Sequence, residues 1–358
     1  MKRYEPIRKY IHLTDNRNSD LSVTNLVGLT IEKRYIPSVA NVIGTDLSKY
    51  KVIKQGQFAC SLMQVSRDGK MPVAMYKGEP SIMSPAYPIF EVNDKNELMP
   101  EYLHMYLSRP EFDREAVFRA VGGVRGSLDW EDFLDMKMPI PSIEEQRKIV
   151  AEYQAVEQRI ENNNRLIKAL EDTAQAIYHH TFVENIDPEN LPEGWRLYTA
   201  GEFFPVITGK KDANIAIEDG VYEFFTCSQE AMRTNVYSFD GDAILLAGNG
   251  DFNVKYYKGK FEAYQRTYVL MPRRKCMLGL LYNVIKYEIS KIAKDAKGSV
   301  IQFLTKGMVE KIKFFAPIEI EKNESISIFN NICDTIITAK KENKKLECIN
   351  SLLLSKLS

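Results

Sequence analysis

The sequence predicts an α+β protein in which one mixed unit, closed by a long helix, occurs twice, the two helices pairing as an antiparallel coiled coil. Three observations predict it. The chain aligns with itself at a shift of 176 to 179 residues. Two segments carry apolar residues every seven positions. The stretches between them mix short β-branched and aromatic runs with helical periodicity. A length of 358 residues with 44% hydrophobic and 27% charged side chains suits a globular chain with two or three cores.

The repeat runs in constant order. A shift of 176 lays Gly122 on Gly298, Val124 on Val300, Leu128 on Leu304 and Pro141 on Pro317. Upstream, Tyr76-Lys77-Gly78 matches Tyr257-Lys258-Gly259, and Gln55-Gly56-Gln57 matches Asp240-Gly241-Asp242. Downstream, a shift of 179 lays Asn164 on Asn343 and Leu170 on Ile349.

In chain order, Lys51–Phe58 reads as strand and residues 101–120 as helix. Pro139 and Pro141 end the first unit and stop the next helix from extending backwards. Ser142 with Glu145 three residues on forms a capping box. The heptad helix then carries Tyr153, Ile160, Ile167 and Ala174 on one seam line. Ile149, Val156, Asn163, Leu170 and Ile177 lie on the other. His179-His180 suits the helix end, where a cation meets orphan carbonyls. In the second unit Val221–Thr226, Ala243–Ala247 and Tyr264–Met271 read as strands, Gly248–Asp251 as a turn and residues 277–295 as helix. The second long helix places Ile332, Ala339, Leu346 and Leu353 on one line and Phe329, Ile336 and Asn343 on the other. In an antiparallel pair a positions pack on d positions, so Asn163 and Asn343 are expected to share one layer and set the register.

Lys+Arg and Asp+Glu both number 48, so bulk charge points to no partner. The distribution is uneven. Residues 255–313 hold 14 basic and four acidic side chains; residues 187–254 hold four and 12. The basic stretch interleaves Tyr256, Tyr257, Tyr264 and Tyr268 with Lys255, Lys258, Lys260 and Arg266. Such a surface faces polyanions, because Lys and Arg release counterions from phosphates. A solvated surface on half-buried strands has the same composition. Five scattered cysteines without a CxxC pair argue against a disulfide framework or structural zinc and fit a reducing cytoplasm. Neither a secretory leader nor an apolar stretch of membrane-spanning length is found.

Catalytic motifs are missing. Gly209-Lys210-Lys211 lacks the spacing of a phosphate loop, and Gly248-Asn249-Gly250 ends at Asn253 rather than glycine. There is no clustered His/Cys set. Glu91-Val92-Asn93-Asp94-Lys95 runs the wrong way for a nuclease site and reads as a polar turn.

The junction Met138-Pro139-Ile140-Pro141-Ser142-Ile143-Glu144-Glu145-Gln146-Arg147-Lys148-Ile149-Val150, followed by a heptad helix, resembles that of type I restriction–modification specificity subunits. So does Leu191-Pro192-Glu193-Gly194-Trp195, which in that family opens a second target-recognition domain. The segment from Gly298 to Leu304, then Ile312-Lys313 and Pro317, is similar to the family's domain end. Two departures stand out: Pro317-Ile318-Glu319-Ile320-Glu321 lacks the Glu-Gln pair, and no Leu-Pro-x-Gly-Trp precedes the first domain. The resemblance implies target-recognition domains over 1–141 and 187–317, a spacer helix and linker over 142–186 and a second spacer helix over 318–358. It implies a non-catalytic reader of double-stranded DNA, cytoplasmic and not membrane-bound, each domain reading half of a bipartite target. Two methyltransferase subunits would dock on the helices and bring S-adenosylmethionine; restriction subunits would bring ATP and magnesium. The chain would bind no cofactor or metal of its own. The alternatives are a coiled-coil interaction scaffold that does not read DNA, and a fused methyltransferase.

The expected DNA contacts follow from the Gly-rich segments before each proline turn. Glycine lets backbone approach a phosphate, and a neighbouring polar side chain can reach base edges. They give Arg125 and Ser127 in the first unit and Lys297, Ser299 and Gln302 in the second. Lys255, Lys258 and Arg266, with Arg67 and Lys70 in the first unit, are expected on phosphates.

Overall fold

A computed structural model describes residues 3–38, 40–121, 123, 126–184, 186–295 and 303–357. Arg125, Lys297, Ser299 and Gln302 lie outside the described residues. The chain divides into two compact units: Met1–Ile160 with Lys344–Ser358, and Glu161–Asn343. Each holds one mixed domain and a stretch of both long helices.

In unit 1 the strands are β1 (Tyr4–Pro6), β2 (Ile11–Thr14), β3 (Val27–Leu29), β4 (Tyr35–Pro37), β5 (Lys51–Ile53), β6 (Phe58–Cys60), β7 (Val73–Met75), β8 (Ser81–Met83), β9 (Ile89–Val92) and β10 (Lys137–Pro139). The helices are α1 (Val65–Asp68), α2 (Pro100–Leu107), α3 (Pro110–Arg119), α4 (Trp130–Leu134) and the first part of α5 (Ile143–Phe182). The helix expected over 101–120 is two, because Pro110 has no N–H to continue α2 and instead opens α3. A four-stranded sheet runs β2-β9-β6-β7, and three two-stranded ribbons pair β1 with β10, β3 with β4 and β5 with β8. Glu91 and Val92 close β9 rather than forming a turn, and Glu91 accepts from Gln57 Nε2 at 2.8 Å. The core gathers Phe58, Phe90, Phe112 and Phe133 under α2 and α4, with Phe58 and Phe90 stacked at 5.2 Å. Ile149, Val150 and Tyr153 of the long helix join that core, as do Leu354 and Leu357.

In unit 2 the strands are β11 (Trp195–Thr199), β12 (Val206–Thr208), β13 (Tyr222–Phe225), β14 (Met232–Thr234), β15 (Phe239–Ala247), β16 (Val254–Ala263), β17 (Thr267–Leu270) and β18 (Lys313–Pro317). The helices are α6 (Leu278–Asp295), α7 (Lys306–Glu310), the rest of α5, and most of α8 (Ser325–Ser355). The sheet order is β12-β17-β15-β16-β13-β14, with β11 paired to β18. The path β2-β9-β6-β7 of unit 1 thus recurs as β12-β17-β15-β16, and β1-β10 recurs as β11-β18. The repeat in the sequence is a repeat in topology. Leu278, Leu281 and Ile285 of α6 pack on Ile244 and Leu246 of the sheet, and on Phe182, Phe329 and Ile336 of the long helices.

The long helices pair within both units. In unit 1, Ser142 Oγ accepts from Glu145 N at 3.3 Å and starts α5. In unit 2, Ile167, Leu170, Ala174 and Ile177 pack with Ile332 and Ile336. Asn163 and Asn343 are buried in the same seam. Asn163 Nδ2 donates to Asn343 Oδ1 at 2.9 Å and to Glu342 Oε2 at 2.9 Å. Asn343 Nδ2 donates to Asn164 Oδ1 at 2.8 Å. At the end of α5, His180 pairs with Glu184 at 2.9 Å, lowering that carboxyl below its ordinary value.

Candidate nucleic-acid interface

Unit 2 gathers five loops at one end of its sheet. The cause lies in the β15–β16 hairpin, where Gly241 faces Gly259 in register. Their φ angles are +143° and +128°, a region that favours glycine. Phe261 of β16 pairs with Phe239 while Thr267 of β17 pairs with Ala247, so the short 264–266 link requires the hairpin to curl, and the two glycines tolerate it. Tyr264 N then bonds Phe225 O at 2.9 Å, Gln265 N bonds Lys211 O at 3.0 Å, and Gly248 N bonds Arg266 O at 2.8 Å. Leu304 N adds a bond to Gly248 O at 2.8 Å. Asn253 Nδ2 reaches Cys227 O at 2.8 Å, and Gln229 donates to Asp251. Segments 209–211, 226–230, 248–253, 264–266 and 303–304 therefore form one crown.

Gly209 is dictated by this closeness: a Cβ there would meet Ala263 O at 2.0 Å. It turns the chain so that Lys210 and Lys211 stand exposed beside the exposed Arg266. No ion pair holds these three cations among the described residues. Lys255 is held differently. Its Nζ donates to Ser228 O at 2.6 Å and to Asn253 Oδ1, and burial pulls its pKa below the ordinary lysine value against the attraction of Asp251. The crown also carries acids. Asp212 caps a short 3-10 turn by accepting from Ala213 N, Asp251 is tied to Asn253 and Gln229, and Glu230 is exposed. Exposed Gln229 and Gln265 and half-buried Asn249 add amides whose paired donors and acceptors match base edges. Lys258 stands apart: its Nζ meets Asp334 Oδ1 of α8 at 2.5 Å, so the structure does not gather it with Lys255 and Arg266.

Unit 1 builds the same corner from different residues. Leu128 N bonds Leu62 O at 2.9 Å, the counterpart of Leu304 N on Gly248 O. Ser66 Oγ donates to Gly126 O at 3.4 Å, so α1 lies against the Gly-rich segment. α1 starts at left-handed Gln64 and ends at left-handed Gly69, a tight excursion that carries Arg67 and ends beside Lys70. Arg67 is 64% exposed and paired with Asp68 at 2.7 Å, and Lys70 is exposed. Arg67, Lys70 and Ser127 are thus on neighbouring segments. Arg17, on the loop after β2 as Lys210 is on the loop after β12, donates to Lys49 O at 2.7 Å.

Sequence reasoning passed over Lys210, Lys211, Gln229 and Gln265. In the sequence Gly209-Lys210-Lys211 reads only as a failed phosphate loop, and its correspondence with Arg17 becomes visible only once β2 and β12 are placed.

Two copies of one α+β module, each with a polar loop crown and each followed by a long helix of an antiparallel pair, define a tandem-repeat protein with paired spacer helices. The chain belongs to the family of the type I restriction modification DNA specificity domain, whose profile matches residues 45–172 and 192–348. It is 38% identical over 164 residues to the type I restriction enzyme EcoDI specificity subunit of Escherichia coli, a match covering 46% of this chain and 36% of that protein. The chain therefore aligns with about a third of that relative's length. With a putative type I restriction enzyme MjaX specificity subunit of Methanocaldococcus jannaschii it is 23% identical over 360 residues, 89% of this chain and 82% of that one. The fold is similar to the crystal structure of a type I restriction-modification S subunit from M. genitalium. There the TM-score is 0.60 at 17% identity, covering 100% of this chain and 96% of the other.

Proposed function

We propose that the chain is the DNA-specificity subunit of a type I restriction–modification complex, each module reading one half of a split target. The observation that carries this reading is the repeated corner. In both units the Gly-rich segment before the proline turn is bonded to the loop after a central strand, through Leu128 N on Leu62 O and Leu304 N on Gly248 O. Two crowns on one topology, with different side chains, suit two half-sites of different sequence. In unit 2, Lys210, Lys211 and Arg266 take phosphates, while Gln229, Gln265 and Asn249 face base edges. Arg67, Lys70 and Ser127 serve the same purpose in unit 1, and Arg125, Lys297, Ser299 and Gln302, outside the described residues, are assigned to DNA from the sequence alone. Lys255 braces the crown.

The chain itself catalyses nothing and works in the cytoplasm; among the described residues no helix is long and apolar enough to cross a membrane. Methylation comes from two methyltransferase subunits that bring S-adenosylmethionine, and cleavage from restriction subunits that use ATP and magnesium. Exposed Leu166 of α5 and Ile349 and Leu352 of α8 lie outside the seam and offer apolar surface to such partners. The Asn163–Asn343 layer fixes one helix register and, with it, one spacing between half-sites.

The test is a gel shift with the methyltransferase subunit and DNA carrying its methylated site. A shift abolished by scrambling either half of the site supports the reading. A complex that forms equally on unrelated DNA, or only with protein, supports a scaffold instead.

A further inference from the structure

The family-like first junction contains Glu-Gln and the second does not. The structure shows what the glutamine does. Gln146, in the first turn of α5, is fully buried. Its Oε1 accepts from Met99 N at 2.9 Å, and its Nε2 donates to Glu97 O at 2.8 Å and Pro141 O at 3.0 Å. Met99 is the residue before α2, so one side-chain amide ties the start of the domain's helix to the start of the long helix. The Met99 N–H stands at a helix N-terminus, where donors lack partners within the helix, and the two carbonyls belong to the segments leading into α2 and α5.

Unit 2 makes the same tie without a glutamine. Asn330 of α8 accepts from Gly279 N at 3.0 Å through Oδ1 and donates to Cys276 O at 2.6 Å through Nδ2. Gly279 and Cys276 sit at the start of α6, as Met99 and Glu97 sit at the start of α2. Asparagine is one methylene shorter than glutamine, so the two helices must stand closer. In unit 2 α6 and α8 meet backbone to backbone: a Cβ on Gly279 would meet Phe329 C at 2.6 Å and Asn330 N at 2.7 Å. A short arm and a missing side chain go together, as a long arm goes with Met99.

We infer that Gln146 and Asn330 are equivalent positioning residues, each clamping its recognition domain to the long helix that follows it and so setting the angle at which that domain meets DNA. The inference rests on the split-target reading above. The clamp lies at the opposite chain end of each domain's helix layer from the loop crown and touches no DNA-facing residue named there. Its effect is on geometry alone.

The experiment uses the full chain in complex with its methyltransferase subunits and DNA carrying both half-sites, at the natural spacing and at one base pair more or less. The wild-type complex is expected to prefer one spacing. Asn330→Ala is the main variant because Asn330 is only half-buried; Gln146→Glu and Asn330→Asp keep the acceptor but lose the donor. Losing one hydrogen bond of about 1.4 kcal/mol should cut the preference for the natural spacing about tenfold. Either half-site alone should be read as before. A structural brace would lower affinity equally at all three spacings; that result, or an unchanged preference in folded Asn330→Ala and Asn330→Asp, overturns the clamp. If the wild-type complex shows no spacing preference, the split-target reading fails instead.

Discussion

The Asn163–Asn343 layer makes a quantitative prediction. Both side chains are buried, at 4% and 7% exposure. Asn163→Leu removes the donor to Asn343 Oδ1 and leaves that oxygen unsatisfied in an apolar seam, although Asn343 Nδ2 keeps Asn164. An orphaned buried acceptor costs about 1–3 kcal/mol, so this variant should lose about 2 kcal/mol. Asn343→Leu should lose less, because Asn163 Nδ2 retains Glu342 Oε2. The double variant removes both seam amides together; Asn164, exposed, and Glu342, half-buried, each lose a donor but can turn to water, and extra apolar area is buried, so stability should return to wild type or exceed it. Urea unfolding of the four proteins, followed by far-UV circular dichroism, completes the cycle. A coupling of more than about 2 kcal/mol is expected, and single effects that add to within about 0.5 kcal/mol would refute the shared layer. The double variant should also accept a wider range of half-site spacings, because two leucines no longer penalise a slipped register.

Alanine at Lys210, Lys211 or Arg266 should weaken binding evenly across DNA sequences and reduce the salt slope by about one per contact; loss confined to one base position would place that side chain on a base edge. Lys258→Ala should leave the salt slope unchanged, since Lys258 is committed to Asp334; a drop of about one would put it back on phosphate. Acid should weaken unit 1 through His104, whose Nδ1 is buried without a partner. Burial, helped by Lys77 and Lys33, pushes the His104 pKa down from 6.5 to about 4. The unfolded chain then binds the extra proton, so stability is full above about pH 6.5 and falls toward pH 4, by up to about 3 kcal/mol. His104→Leu should flatten that part of the stability–pH curve, and an identical slope in both proteins contradicts it.

Much of the architecture is legible in the sequence because its signals are local or periodic. Heptads mark α5 and α8, and antiparallel heptad arithmetic alone brings Asn163 to Asn343. What escapes is whatever depends on contacts far apart in the chain. The strand read from Ala243–Ala247 extends back to Phe239, since its polar half is paired to Lys258 and Lys260 rather than buried. The crown is assembled by backbone hydrogen bonds between distant loops, and nothing near Lys210 in sequence shows that Arg266 will stand beside it. Ser142 and Glu145 announce a helix start, whereas the adjacent Gln146 takes partners nearly fifty residues upstream. Asn330 carries no motif; its role becomes visible only against Gly279.

The most direct test of the split reader maps methylated adenines by single-molecule sequencing in cells that carry this chain with its methyltransferase. The measurement is then repeated with residues 187–317 replaced by those of another family member. Two short methylated half-sites at one fixed spacing are predicted, with the exchange altering one half and leaving the other half and the spacing intact. A single continuous site, or a change in both halves after the exchange, would contradict it.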